Sequence, residues 1–325
     1  MSDFENSEQR RSSLALSSFN TDSDYSMLLH DENFWNFFVE KILKHHGLSG
    51  REIIAGIGGT FPAFICGDVV VKLFGYVRAW RESFASERAA HKLLATDSEI
   101  AAPRLIAEGE LFCGAEESWP CLITTRMPGV NWKDDALSEA ERIQITADLG
   151  RQLRRVHQLQ PSPDIAALAH WQNLNVSAAA KQSSLPPHLA DQIDDFLGTL
   201  DSFEPAFVHS DIVGLHVFVD KGRLAGIIDW GDAMVNDRHY EIIQIYRDLF
   251  DCNKELLKIF LEASSWQIGS NFPKQALGLA FYRQAIGLTR HLTIDVFEPI
   301  SKQFPLRDIA SLDELAEELF GGLGN

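Results

Sequence analysis

The sequence predicts an α+β chain of two lobes, a small antiparallel β-sheet lobe followed by a larger, mainly helical one. Three observations carry this. From Ile53 to Arg126, short apolar runs are separated by Gly, Pro and Asp turns and interrupted by one helical stretch. From Ser138 onward the apolar spacing is mainly helical. Within that helical part, Phe207 to Asp232 reads as two short strands joined at Asp220-Lys221-Gly222, a hairpin with a carboxylate beyond each end.

The 325 residues are enough for a sizeable core, and the 45% hydrophobic and 23% charged residues are an ordinary globular composition. Lys and Arg number 29 against 46 Asp and Glu, a net charge of −17, which argues against nonspecific binding to nucleic acid or an anionic membrane and suits a cationic small substrate. Cys66, Cys113, Cys121 and Cys252 show no Cys-x-x-Cys spacing, so neither a structural zinc nor a disulfide framework is expected. The start lacks a signal-peptide core and no apolar stretch reaches membrane-spanning length, making the cytoplasm the expected location.

In chain order, residues 1–25 are polar and expected to be a disordered tail. Residues 26–127 form the small lobe with a preceding helix, Asp31 to His46, whose aromatic stripe reads as packing. Ile53 to Phe74 predicts three strands, with the loop Gly56-Ile57-Gly58-Gly59-Thr60 between the first two. Glycine there lets the backbone approach a phosphate closely, although Gly-Gly alone usually marks a turn. Lys72 lies inside the apolar strand Val69 to Phe74 and needs a partner. On the helix Trp80 to Ala95, Glu87 shares the face of Phe84 and Leu94, whereas Glu82 points away, so Glu87 is the expected partner. A strand pair follows, Arg104 to Gly109 and Trp119 to Arg126, around an acidic loop at 114–117.

Residues 128–325 form the helical lobe. Ser138-Glu139-Ala140-Glu141 is a capping box opening a helix to Leu159, on which His157 reads as structural. Residues 161–187 read as an inserted loop or short helices, and His188 to Leu200 as one helix. After the hairpin, Asp237 stands at capping distance from a helix over 241–250, and further helices are expected at 254–267, 274–292 and 312–320. Tyr282, Arg283, Arg290, His291 and Asp295 read mostly as solvated faces or packing.

The hairpin bend brings Asp211 and Asp229, 18 residues apart, to one edge. One carboxylate can accept a proton while the other holds a divalent cation, the division of labour phosphoryl transfer needs. Taken singly, either Asp reads more readily as a turn cap, and the whole constellation reverses that preference.

The pattern His209-x-Asp211, then Ile228-Asp229-Trp230, resembles the aminoglycoside phosphotransferase and choline kinase family, small-molecule kinases with a protein-kinase-like fold. The resemblance covers about residues 50–320. It implies Asp211 as catalytic base, His209 as a brace for the Asp229 turn, Asp229 as principal magnesium ligand, and the loop Gly56, Gly58, Gly59, Thr60 with Lys72 and Glu87 at the phosphates of ATP or GTP. Leu122 to Gly129 resembles the interlobe hinge of that family, placing the nucleotide base against the backbone of Thr125, Arg126 and Met127. No room is left after Asp229 for a long activation segment, which favours a small-molecule acceptor over a protein.

One position departs from the family pattern: His216 stands where Asn is usual. Magnesium disfavours imidazole nitrogen, so either the second metal position is weak, or a softer ion such as manganese is used, or His216 contacts phosphate or Asp211. The same residue motivates two alternatives to a kinase. One is a nucleotide-binding pseudokinase; the other is a His/Asp metallohydrolase built on His209, Asp211, His216 and Asp229.

Overall fold

Thr21 and Asp31 start the two helices that open the described chain. Thr21 closes a capping box with Asp24 on Asp22–Leu28, and Asp31 accepts the N–H groups of Asn33 and Phe34 at the head of Glu32–His45. The computed structural model describes residues 16–323 except 57, 113–117, 135, 162, 166–173 and 290–294. Cys113, the acidic loop 114–117, Arg290 and His291 therefore lie outside the described residues. The chain forms two compact units, Met1–Ala95 with Ala102–Met127, and Thr96–Ala101 with Pro128–Asn325.

The first unit is built on five antiparallel strands: β1 (Ile53–Ala55), β2 (Ala63–Cys66), β3 (Val69–Leu73), β4 (Leu105–Leu111) and β5 (Trp119–Thr125), in the order β1-β2-β3-β5-β4. Val69, Val71 and Leu73 point one way into the core, and Lys72 points the other. The core is aromatic, with Trp35, Phe38, Phe64, Phe112 and Trp119 in one cluster. Residues 16–25 are not the disordered tail their polarity suggests. Phe19 stacks on Trp119 at 5.1 Å, and Tyr25 stacks on Tyr76 at 4.6 Å. Two aromatic anchors in a polar segment are enough to dock it.

In the second unit, β6 (Val130–Asn131), β8 (Val217–Asp220) and β9 (Arg223–Ile227) form one sheet in the order β6-β8-β9, with a bulge between Phe218 and Val219. β7 (Pro205–Val208) pairs with β10 (Met234–Asp237), a strand that the apolar pattern does not predict. Its Asn236 and Asp237 are buried, so it carries no apolar alternation to read. The single helix expected over 241–250 is instead a 3₁₀ turn (Arg238–Glu241), a short α-turn (Ile242–Gln244) and a π turn (Ile245–Leu249). His188 to Leu200 likewise divides into Pro187–Ala190 and Ile193–Leu197. At the break, Gln192 donates to Ala310 O and accepts from Leu312 N–H, bonds that tie it to the C-terminal segment.

The helices Glu139–Gln158 and Lys254–Ala263 pack closely: a Cβ on Gly150 would meet Phe260 O at 2.5 Å, so only glycine fits there. Among the described side chains of Phe272–Thr289 there is no solvated stripe, with Ala276, Leu277, Leu279, Ala280 and Phe281 all fully buried. Among the described residues no helix is long and apolar enough to cross a membrane.

Candidate active site

In the first unit, β3 aims Lys72 at the helix Trp80–Leu94. Its Nζ lies 2.7 Å from Glu87 Oε2, both side chains being largely buried, while Glu82 is exposed. His91 Nε2 faces the other Glu87 oxygen at 3.8 Å, and His91 Nδ1–H donates to Pro103 O at 3.1 Å. The ammonium also sits over the rings of Phe74 (5.4 Å) and Phe61 (5.9 Å). The geometry is that of a cation oriented from several sides.

The loop between β1 and β2 needs its glycines. Gly58 and Gly59 have φ of +58° and +106°, and a Cβ on Gly56 would lie 2.9 Å from Ala63 O. Gly58, Gly59 and Thr60 are exposed, and Tyr25 Oη–H ties the loop down by donating to Thr60 O at 2.8 Å. At the residues expected to meet a nucleotide base, two of three backbone donors are already committed. Thr125 N–H goes to Arg104 O and Arg126 N–H to Asp68 O, both at 2.9 Å. This narrows the expected backbone N–H donor to Met127.

In the second unit the hairpin β8–β9 closes at its open end through Ile228 N–H to His216 O, 2.9 Å. His216 therefore lies directly across from the residue before Asp229. Its Nδ1–H donates to Asp211 O at 2.7 Å, and its Nε2 is 3.4 Å from Asp229 Oδ2. Asp211 Oδ2 is 3.5 Å from Nδ1 of the same ring. One imidazole thus faces both carboxylates, each about a third exposed (33% and 35%).

His209 fixes the backbone beneath them. Its Nε2–H donates to Ile228 O at 2.9 Å and its Nδ1 accepts Asp211 N–H at 3.1 Å, joining the loop before β8 to the turn after β9. Complete burial pushes this imidazole below its ordinary value, so it is neutral, as the one-donor, one-acceptor pattern requires. With both ring nitrogens engaged, His209 has no lone pair for a metal, which removes it from the His/Asp metallohydrolase set. Ser210 and Asp229 hold left-handed backbone conformations, φ +68° and +63°. Such strain persists only where neighbours over-determine it.

Glu241 is one of those neighbours, and the sequence reading missed it. Its Oε1 accepts the N–H groups of His209 (2.7 Å) and Ser210 (3.1 Å), and its Oε2 lies 2.7 Å from His157 Nε2. Burial alone would raise this carboxyl, but the hydrogen bond from His157, the attraction of the neighbouring imidazoles and the Ser210 N–H together outweigh it and hold the group below the usual carboxylate range. Gln244 and Arg283 were missed as well. Gln244 Nε2 donates to Asp211 Oδ1 at 2.7 Å, and Arg283 Nη1 donates to Ser210 O at 2.7 Å. Arg283 is neither solvated nor plain packing. A readable signal existed for Gln244, a lone polar residue inside the apolar run Ile242-Ile243-Gln244-Ile245; Glu241, after His239-Tyr240, and Arg283, before Gln284, carry none as clear.

A small antiparallel sheet bearing a Lys–Glu pair, followed by a helical unit whose hairpin presents two carboxylates, defines a protein-kinase-like fold. Residues 58–268 match the phosphotransferase enzyme family, and the chain belongs to that family. Among solved structures, it is similar to the GDP and kanamycin complex of APH(2'')-IIIa, with a TM-score of 0.62 and 15% identity over 84% of this chain and 98% of that one. The streptomycin–ATP–APH(2'')-IIa ternary complex gives a TM-score of 0.57 and 17% identity over 81% and 95%. Macrolide 2'-phosphotransferase MphH from Brachybacterium faecium gives 0.57 and 15% over 87% and 98%. At these identities the likenesses establish the shared fold, and the family match establishes a small-molecule phosphotransferase.

Proposed function

We propose that this phosphotransferase moves the γ-phosphate of ATP to a hydroxyl of a small molecule, with Asp211 as the base and Asp229 as the principal ligand of a divalent ion. One observation carries the reading: the His216 ring faces both carboxylates, so they share the open edge of one hairpin.

Asp211 Oδ2 accepts the acceptor's hydroxyl hydrogen and takes the proton as that oxygen bonds to the γ-phosphorus, while the bond to the departing nucleoside diphosphate breaks. Lys72, oriented by Glu87, neutralises phosphate charge, and the N–H groups of the exposed Gly58-Gly59-Thr60 turn cradle phosphate oxygens. Met127 N–H serves the adenine edge. Asp229 offers hard oxygens suited to magnesium, and the bound ion would offset the charge on the phosphates. His216 offers a nitrogen, which suits manganese better and leaves its Nδ1–H holding Asp211. Kanamycin, streptomycin and macrolides, acceptors or ligands named for the similar structures, form the starting panel alongside other small alcohols. A cytoplasmic location fits an enzyme drawing on ATP.

The test is transfer of radiolabelled γ-phosphate from ATP, with GTP in parallel, in magnesium and in manganese. Asp211→Asn should lower turnover by about 10²- to 10⁴-fold while nucleotide affinity is retained. Wild-type turnover in Asp211→Asn contradicts the assignment. Nucleotide binding without metal-dependent turnover in the wild-type protein would establish the pseudokinase reading instead.

A further inference from the structure

The polar side chains packed around Asp211 come from segments well beyond the hairpin. Gln244 lies on the short turn Ile242–Gln244, and Arg283 lies midway along the apolar helix Phe272–Thr289; they are 3% and 6% exposed. Asp211 Oδ1 receives Gln244 Nε2–H at 2.7 Å and faces Arg283 Nη2 at 3.5 Å. Arg283 Nη1–H fixes the neighbouring Ser210 carbonyl at 2.7 Å, and the guanidinium rests 5.1 Å over the Tyr240 ring. The other oxygen is treated differently. Asp211 Oδ2 accepts no hydrogen bond among the described residues, and the His216 Nδ1–H, 3.5 Å away, is directed to Asp211 O.

The carboxylate is therefore asymmetric by construction. The terminal torsion of an aspartate is broad and nearly two-fold, so a half-exposed carboxylate left to itself would exchange its oxygens. A base that must meet one incoming hydroxyl in line with a phosphorus atom gains from having a single oxygen on offer. We infer that Gln244 and Arg283 are positioning residues which clamp Oδ1 of Asp211 and leave Oδ2 as the one oxygen presented to the acceptor hydroxyl. This inference rests on the proposed role of Asp211 and assigns two residues to it.

An independent observation supports it. Among the described residues five buried side-chain polar atoms have no hydrogen-bond partner, and three of them, Ser210 Oγ, Gln244 Oε1 and Arg283 Nε, belong to this cluster. Unmet bonding capacity in the interior is unfavourable, and packing alone would be better served here by apolar side chains like those of the neighbouring Ala280, Phe281 and Ala285. Polar residues retained against that pressure mark a site where their remaining hydrogen bonds matter.

The experiment places Gln244→Leu, Arg283→Lys and Arg283→Met in the wild-type chain and in an Asp211→Ala background. It reads ATP hydrolysis to water with magnesium, the KM for ATP and the thermal midpoint. In the wild-type chain, Gln244→Leu and Arg283→Met should each lower kcat by about 10- to 100-fold with the KM for ATP little changed, the scale of a small misplacement of a reacting group. Arg283→Lys should recover part of the loss. In the Asp211→Ala background the same substitutions should change turnover by less than about twofold, because the group they position is gone. Equal losses in both backgrounds would make the two residues merely structural and overturn the clamp. Wild-type turnover in Gln244→Leu, with Asp211→Ala inactive, would also overturn it and leave the role of Asp211 standing. Wild-type turnover in Asp211→Ala would overturn the proposed function itself. Gln244→Leu removes only one amide and keeps the test decisive if the arginine variants fail to fold.

Discussion

Replacing Glu241 by Ala should separate the stability of the loop Phe207–Asp211 from the integrity of the rest of the chain. The side chain is 1% exposed and satisfies two backbone N–H groups, His209 and Ser210, together with the His157 ring. Truncation leaves those donors buried without a partner. An orphaned buried donor costs about 1–3 kcal/mol, and three donors lose their acceptor together, so the loss should be at least about 3 kcal/mol. Glu241→Gln keeps a carbonyl oxygen for both N–H groups and should lose about 1–2 kcal/mol. Urea unfolding followed by fluorescence measures both, and phosphate-transfer kinetics on the folded fraction should show kcat reduced in each variant with nucleotide affinity retained. An unchanged urea midpoint for Glu241→Ala would mean that the loop carries its strain at Ser210 without this support, contrary to the role given to Glu241.

Other outcomes follow from the same geometry. Glu87→Ala removes the 2.7 Å partner of Lys72 and should raise the KM for ATP by about tenfold, the equivalent of one lost hydrogen bond of roughly 1–1.5 kcal/mol, in a steady-state assay. Tyr25→Phe keeps the stacking on Tyr76 but loses the tether to Thr60; stability should fall by about 1 kcal/mol in urea titration, and the KM for nucleotide should rise as the loop loosens. Glu241 and Asp237 are both held below their ordinary values of 4.5 and 3.8, overcoming burial through hydrogen bonds from His157 and His239. A depressed carboxyl stabilises the fold above its unfolded value and loses that contribution as pH falls through its folded value. Stability should therefore decline on acidification below about 4.5, with a shallower slope in Glu241→Gln, measured by denaturation at stepped pH.

Much of this arrangement was legible before any coordinates. Lys72 and Glu87 could be paired because Lys72 is the one charge in an apolar strand and helical spacing sets Glu87, not Glu82, on the inward face of the next helix. The hairpin and its two carboxylates were readable for a similar reason, since β8 and β9 are local and their turn is marked by Asp220-Lys221-Gly222. What failed to show were features whose cause lies elsewhere in the chain. β10 exists because Pro205–Val208 pairs with it, and nothing in Met234-Val235-Asn236-Asp237 announces that partner. The docking of residues 16–25 depends on Trp119 and Tyr76, distant in sequence. Glu241, Gln244 and Arg283 converge on the loop Phe207–Asp211 only through tertiary packing. Periodicity could flag Gln244 as a misfit in an apolar run but could not name the atoms that any of the three serves.

The most direct test of the central claim is calorimetric titration of ATP into the wild-type protein and Asp229→Ala, each with magnesium, with manganese and with EDTA. Binding to the wild-type protein should be metal-dependent, and Asp229→Ala should lose that dependence. Equal ATP affinity with metal and with EDTA in the wild-type protein would contradict the assignment of Asp229, and with it the catalytic edge formed by Asp211, His216 and Asp229.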